Sequence, residues 1–330
     1  MTTGALDLRG GALVLDDPQG LLGASLSRLL PAAAPGSPAA CTLRVCQGDV
    51  PAHAPPAAQD ILREGTRFHF WRTDGQRHVM VAGGAQLVAG PGRDCVLTIA
   101  RDCPPLVRGE LAMIALEEAL HACGQALVHC AALRPPGAGG LVLVHAPSGT
   151  GKTTTALALA GAGFGLAGDD AAVLGRGADG ALTAWGLPRA VNLHRRTAQM
   201  LDWLHPALPS PWPAADEISL PLSDLPAPAR AVPQTLPVLA LVCLQRAEGG
   251  AEDGAGEGVP PGLVPQSPGD ALAALIADNI GVTSSGLWPV QMGRLDLLVT
   301  LTGQVPCHRL GVAAGPAGLQ DAVAAMQAGF

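Results

Sequence analysis

Residues 141–170 alternate in the manner of an α/β chain, and three observations carry that reading. An apolar run at 141–145 feeds the glycine-rich stretch Ala146-Pro147-Ser148-Gly149-Thr150-Gly151-Lys152-Thr153. An alanine/leucine run at 152–162 follows, with the composition of a helix. The strand-like segment 164–168 then ends on Asp169-Asp170. Strand, loop, helix and strand in this order make a βαβ unit around a phosphate-cradling loop. The first hundred residues instead give short apolar runs broken by Pro, Ala and Gly. The expected fold is therefore α/β with a mixed sheet over residues 106–330, preceded by a β-rich accessory domain over 1–105.

In the accessory region, strands are expected at 13–15, 42–46, 66–71, 78–82 and 95–100, the last two separated by a Gly-rich turn. A short helix at 21–30 is stopped by Pro31 and the low-complexity run 31–40. A longer helix covers 106–126, with Leu106, Leu111, Ile114, Ala115, Glu118 and Ala122 along one stripe. Segment 127–133 reads as a strand, 134–140 as a Pro/Gly turn and 141–145 as its antiparallel partner. A symmetric turn sets His129 opposite His145, and a one-residue slip turns it to the other face.

Beyond the loop helix, closed by Gly163, strands are expected at 171–174 and 181–185 around the turn 175–180. Residues 206–237 are proline-heavy and irregular apart from a strand at 217–220. The continuous apolar run 239–244 reads as a central strand. The acidic Gly/Pro-rich segment 247–269 is expected to be a mobile surface loop. A helix at 270–279, a strand at 305–310 and a helix at 316–327 complete the chain.

Composition narrows the function classes. The 330 residues suffice for two domains, and 48% hydrophobic content supports a real core. A net charge of −7 argues against nucleic acid or an anionic membrane as partner. No run of eighteen apolar residues occurs, so no membrane span is expected. Asp7 and the lack of a basic start speak against a leader peptide. Eight cysteines without a Cys-x-x-Cys pair read as buried reduced thiols of a cytoplasmic protein.

Lys152 is the sole lysine beside nineteen arginines. A compact ammonium can fold back over a β/γ-phosphate, whereas a planar guanidinium has the wrong shape. The amides of Ser148, Gly149, Thr150, Gly151, Lys152 and Thr153 are expected to cradle the phosphates at the helix N-terminus, with Thr154 also counted in the nucleotide site. Lys152 neutralises the transferred phosphate and the Thr153 hydroxyl binds Mg²⁺. Ala146 stands where the usual loop has glycine. Asp169 and Asp170 should face the same phosphates from the next strand. Neighbouring carboxylates do not both ionise freely, so one pKa should rise toward that of a general base. Asp170 is assigned as base and Asp169 to the metal, an order that could be reversed. His129 reads as a phosphate contact or as a structural histidine. Arg189 could stabilise transferring charge or be a surface arginine; His308 and Arg309 read as structural.

His129-Cys130-Ala131-Ala132, Pro147–Thr154 and Gly168-Asp169-Asp170 together resemble the core of the HPr serine kinase/phosphorylase family. The likeness is to its shortened relatives, including kinases found beside peptide-maturation enzymes. That resemblance covers residues 106–200, and more loosely Val305-Pro306-Cys307-His308-Arg309-Leu310. It implies a P-loop kinase core similar to the nucleotide domain of phosphoenolpyruvate carboxykinase, with ATP and Mg²⁺ served by Lys152 and Thr153. It further implies that Asp170 activates a serine hydroxyl of a protein or peptide partner, with His129 beside the phosphates. The family's glycine-rich segment after the acidic pair and its C-terminal arginine loop have no counterpart in this chain. A carboxykinase needs a second active-site lysine and a GTPase an Asn-Lys-x-Asp motif; one lysine satisfies neither. A small-molecule kinase and a non-catalytic ATP-binding module stay open, as does homo-oligomerisation.

Overall fold

The computed structural model describes residues 2–63, 66–90, 94–226, 234–247, 261–281 and 289–330. The chain is mixed α/β and divides into two compact units, Met1–Ala126 with Gly281–Gly293, and Leu127–Ile280 with Arg294–Phe330. The sequence placed the division after residue 105.

The first unit is built on strands β1 (Thr2–Asp7), β2 (Ala12–Asp17), β3 (Ala39–Gln47), β4 (Gln59–Arg63), β5 (Thr66–Thr73), β6 (Gln76–Val81), β7 (Ala85–Ala89) and β8 (Asp94–Ile99). They form one sheet in the order β1-β2-β3-β8-β7-β6-β5-β4. Pairing is parallel between β2 and β3 and between β3 and β8, antiparallel elsewhere. The Gly-rich turn expected between 82 and 95 holds a further strand, β7, whose short Ala-Gln-Leu-Val-Ala sequence gives little alternation to read. Helix α1 (Gly23–Leu29) opens on the buried Asp17 carboxylate, which accepts from the amides of Leu21, Leu22 and Gly23. Those donors would otherwise be orphaned at the helix start.

Helix α2 (Pro105–Ala122) packs on β3, β7 and β8, which is why it belongs to this unit. Leu111, Ile114, Ala115 and Glu118 are buried as expected, but Leu106 is 51% exposed and its neighbour Val107 is buried instead. The stripe therefore starts one residue later. The buried Glu118 side chain is paired with Arg77, which donates two bonds to it, of 3.2 and 2.6 Å.

The second unit carries β9 (Ala126–Val128), β10 (Ala131–Arg134), β11 (Leu141–His145), β12 (Gly165–Gly168), β13 (Ala172–Arg176), β14 (Leu182–Gly186), β15 (Val191–His194), β16 (Glu217–Leu220), β17 (Leu236–Arg246), β18 (Gly262–Pro265) and β19 (Cys307–Val312). Its helices are α3 (Lys152–Gly161), α4 (Arg195–Met200), α5 (Pro268–Asn279), α6 (Pro289–Gln304), which belongs to it from Arg294 on, and α7 (Gly315–Gly329). The sheet runs β12-β10-β11-β17-β14-β13-β9, with β19 beside β17 and β18 beside β19; β15 and β16 pair separately. As expected, β17 is central: it lies parallel to β11 and β19 and antiparallel to β14. The strand–helix–strand unit β11–α3–β12 is a crossover with β10 lodged between its strands, antiparallel to both.

Several expectations are corrected here. The single strand expected at 127–133 is two, because the His129 amide donates to Asn279 Oδ1 and the ladder breaks. Ala131 pairs with Val144 and Leu133 with Val142, a register one residue off the symmetric one that paired His129 with His145. Segment 247–269 contains β18 and the start of α5, while residues 248–260 lie outside the described residues, as do 227–233 of the irregular stretch. Helix α6 was not foreseen; Gly293, Thr300, Thr302 and Gly303 dilute its pattern.

Leu157, Leu159 and Ala160 of α3 pack with Phe164, Leu133, Val142, Val144 and Met326 in the core of this unit. A leucine or phenylalanine buried this fully contributes about 1.5–3 kcal/mol. All eight cysteines are free thiols. Among the described residues no helix is long and apolar enough to cross a membrane.

Candidate active site

Strand β11 ends at His145, and the chain turns through residues 146–151 into α3. Ala146, where a glycine was expected, is buried in the core. Gly149 (φ 77°) and Gly151 (φ 109°) are both left-handed, which lets the turn close immediately before the helix. No side chain caps α3 and its first turn carries no acid, so its leading amides are not claimed by a local carboxylate. Pro147, Ser148 and Gly149 are exposed and Thr150 half-buried. The Gly149 carbonyl accepts from Arg246 at 2.6 Å, which ties the loop to the end of β17. That arginine was not singled out from the sequence.

Lys152 is 7% exposed and its ammonium meets the acidic pair directly. Nζ donates to Asp170 Oδ1 at 2.8 Å and to the Asp169 carbonyl at 3.2 Å. One residue on, Thr153 Oγ1 donates to Asp169 Oδ2 at 2.8 Å. The Thr154 hydroxyl pairs with that of Thr197 of α4 at 2.9 Å. The two acids lie in the bend after β12 and differ in exposure: Asp169 is 3% exposed, whereas the Asp170 side chain is 45% exposed.

His129 lies at the break between β9 and β10, its Nε2 2.9 Å from Asp170 Oδ1. Arg189 Nη1 donates to Asp170 Oδ2 at 3.3 Å. Asp170 thus gathers Lys152, His129 and Arg189. Asp278, at the end of α5, was missed. Its Oδ2 lies 3.0 Å from His129 Nδ1 and 3.3 Å from His145 Nε2. The second contact is a charge–dipole approach, since its direction does not make a hydrogen bond. Only three-dimensional proximity links residues 129 and 278, so no local motif announces the pair. His308 takes no part and packs edge-on to Phe330.

Electrostatics correct one expectation. The raised carboxyl of the pair is Asp169, not Asp170. Burial pushes Asp169 up, only partly opposed by Lys152 and the Thr153 hydroxyl. The hydrogen bond from His129, seconded by the Lys152 charge, outweighs burial and holds Asp170 well below the usual carboxylate range. Burial also pushes the His145 imidazole down and the Cys130 thiol up to about 12, so neither carries charge near neutrality.

Asp169 Oδ1 is buried without a hydrogen-bond partner. A buried carboxylate oxygen left so is costly unless a cation or donor completes it. Among the described residues no three His, Cys, Asp or Glu side chains converge to hold a metal. Asp169 and Thr153 therefore fit a cation that takes its other oxygens from phosphate and water, as Mg²⁺ does.

No protein-family model matches the chain, and no curated protein matches it in sequence. Among solved structures, the chain is similar to the Hpr(Ser) kinase/phosphatase from Coxiella burnetii, at 15% identity and a TM-score of 0.32, over 62% of this chain and 89% of that one. So distant a likeness carries no argument about activity.

Proposed function

We propose that the chain is an ATP- and Mg²⁺-dependent kinase that transfers the γ-phosphate to a serine or threonine hydroxyl of a protein or peptide. One observation carries the reading: the only lysine joins both members of the acidic pair at the entrance of α3, through Asp170 Oδ1 and the Asp169 carbonyl. The protein or peptide nature of the acceptor rests on the sequence resemblance alone.

In this reading the loop amides and the α3 N-terminus bind the β- and γ-phosphates, and Lys152 leaves Asp170 for the γ-phosphate. Exchanging a carboxylate for a polyanion costs the lysine little, because both offer charge-assisted acceptors. Asp170, relieved of that neighbour, becomes a better proton acceptor. It takes the hydroxyl proton as the new O–P bond forms and the bond to the departing ADP breaks. Thr153 and Asp169 would hold Mg²⁺, which would supply charge neutralisation to the phosphates. Arg189, on Asp170, and Arg246, on the Gly149 carbonyl, add positive charge to the site. Positioning and electrostatics furnish most of the rate.

The test is phosphoryl transfer from labelled ATP–Mg²⁺ to hydroxyl-bearing peptides and candidate partner proteins. Lys152→Ala should lose about 3 kcal/mol of transition-state stabilisation, a little over 100-fold in kcat/KM. Asp170→Asn should lower kcat by about 100-fold or more. Transfer by Asp170→Asn at the wild-type rate would remove Asp170 as base, and tight ATP binding without transfer to any acceptor would favour a non-catalytic module.

A further inference from the structure

Helix α5 ends with two consecutive side chains directed at the same residue. Asn279 Oδ1 accepts from the His129 amide at 2.6 Å, while its Nδ2 donates to the Leu275 carbonyl one turn back. Arg294 Nη1 donates to the Asn279 carbonyl at 2.8 Å, so the helix end is itself held. Asp278 takes the imidazole, with Oδ2 at 3.0 Å from Nδ1. Backbone and ring of His129 are thus fixed from one helix terminus.

The consequence for the ring is chemical. An ionised carboxylate only accepts, so the ring donates from Nδ1 to Asp278 and from Nε2 to Asp170. With Nδ1 anchored, Nε2 is aimed at Asp170 Oδ1, the same oxygen that receives Lys152 Nζ. Asp170 Oδ2 then faces the other way, toward Arg189. His145, neutral because it is buried, approaches Asp278 Oδ2 without bringing a competing charge.

We propose that Asp278 is a positioning residue for the transfer reaction: it holds the His129 ring by Nδ1 so that Nε2 stays on Asp170, and so sets which Asp170 oxygen is presented to the acceptor hydroxyl. This rests on the kinase reading above for its catalytic part, and on geometry alone for its structural part. The arrangement follows the general logic by which a carboxylate orients a histidine in hydrolytic triads and behind metal-bound imidazoles.

The experiment compares wild type with Asp278→Asn and Asp278→Glu in the full chain, by ring ¹H–¹⁵N NMR of His129 and by steady-state kinetics. Asp278→Asn is isosteric, and circular dichroism identifies any unfolded variant. Wild type should show a hydrogen-bonded proton on Nδ1; Asp278→Asn should lose that signal, and Asp278→Glu should keep it in part. The kcat of Asp278→Asn should fall roughly 10- to 100-fold with KM for ATP unchanged, and Asp278→Glu should recover some of it. An unaltered ring spectrum in Asp278→Asn overturns the proposal, as does a loss confined to KM. The ring signal needs no turnover, so an inactive wild type whose Nδ1 proton signal depends on Asp278 would condemn the kinase reading and leave the hold on His129 standing.

Discussion

Asp169 and Asp170 differ by one step along the chain and by the sign of what folding does to them. Asp170 is held below its ordinary value of about 3.9, so the unfolded chain takes up its proton first on acidification. Its stabilising contribution is complete above that value and fades as pH falls through it. Asp169 is raised by burial, so its ionised form weighs against folding increasingly as pH rises above the ordinary value. Thermal melts without Mg²⁺ should separate them. Asp170→Asn should lower the midpoint at pH 7, because Lys152 loses its carboxylate, and the deficit should shrink toward pH 3. Asp169→Asn should match or exceed wild type at pH 7 and lose the extra stabilisation that Mg²⁺ adds to nucleotide binding. Equal deficits at both pH values for Asp170→Asn would contradict the ion pair. The sequence disclosed which residues meet, because a lone lysine and an acid pair stand at fixed ends of one strand–helix–strand unit. It could not disclose which acid is buried: that depends on Thr153, His129 and Arg189 arriving from three other elements.

At the scale of elements, the acid pair is delivered by a close crossing of β12 and β14. A Cβ added to Gly186 would stand 2.2 Å from the carbonyl carbon and oxygen of Ala167 and 2.5 Å from the Gly168 nitrogen. These are backbone atoms, which cannot swing aside as a flexible side chain does. Gly186→Ala should therefore push the end of β12 away from α3, cost about 1–3 kcal/mol as an overpacked core does, and weaken nucleotide binding along with stability. Gly139→Ala, in the β10–β11 turn with open space around its Cβ, is the control and should leave the melting midpoint nearly unchanged. A melt of Gly186→Ala indistinguishable from that of Gly139→Ala would refute the crossing as a constraint. Most of the strands and helices that build this site were legible because their apolar periodicity is local. The one-residue shift at His129 was not, since the break is imposed by Asn279, 150 residues away.

On the scale of the molecule, the second unit is discontinuous in sequence yet nearly closed in space. The chain leaves it after Ile280 and re-enters at Arg294, whose guanidinium donates to the Asn279 carbonyl at 2.8 Å. Sequence reading put the domain boundary at 105 because the β-rich pattern stops there and a helix begins. An amphipathic helix does not say which sheet it covers, and only the packing of α2 on β3, β7 and β8 assigns it to the first unit. The return of Gly281–Gly293 to that unit has no local signal at all. These connections make a direct prediction. Joining residues 127–280 to 294–330 through four Gly/Ser residues, a reach of roughly 13 Å, bridges ends already tied by a side chain. The fragment keeps the core around Phe164 and Met326 and every site group from His129 to Asp278. It should melt cooperatively, and ATP–Mg²⁺ at a hundredfold excess over Kd should stabilise it by about 2.7 kcal/mol, as it should the full chain. A fragment that folds without that nucleotide shift would show that the phosphate site needs the first unit; one that fails to melt cooperatively would show that the core of the second unit does not stand alone.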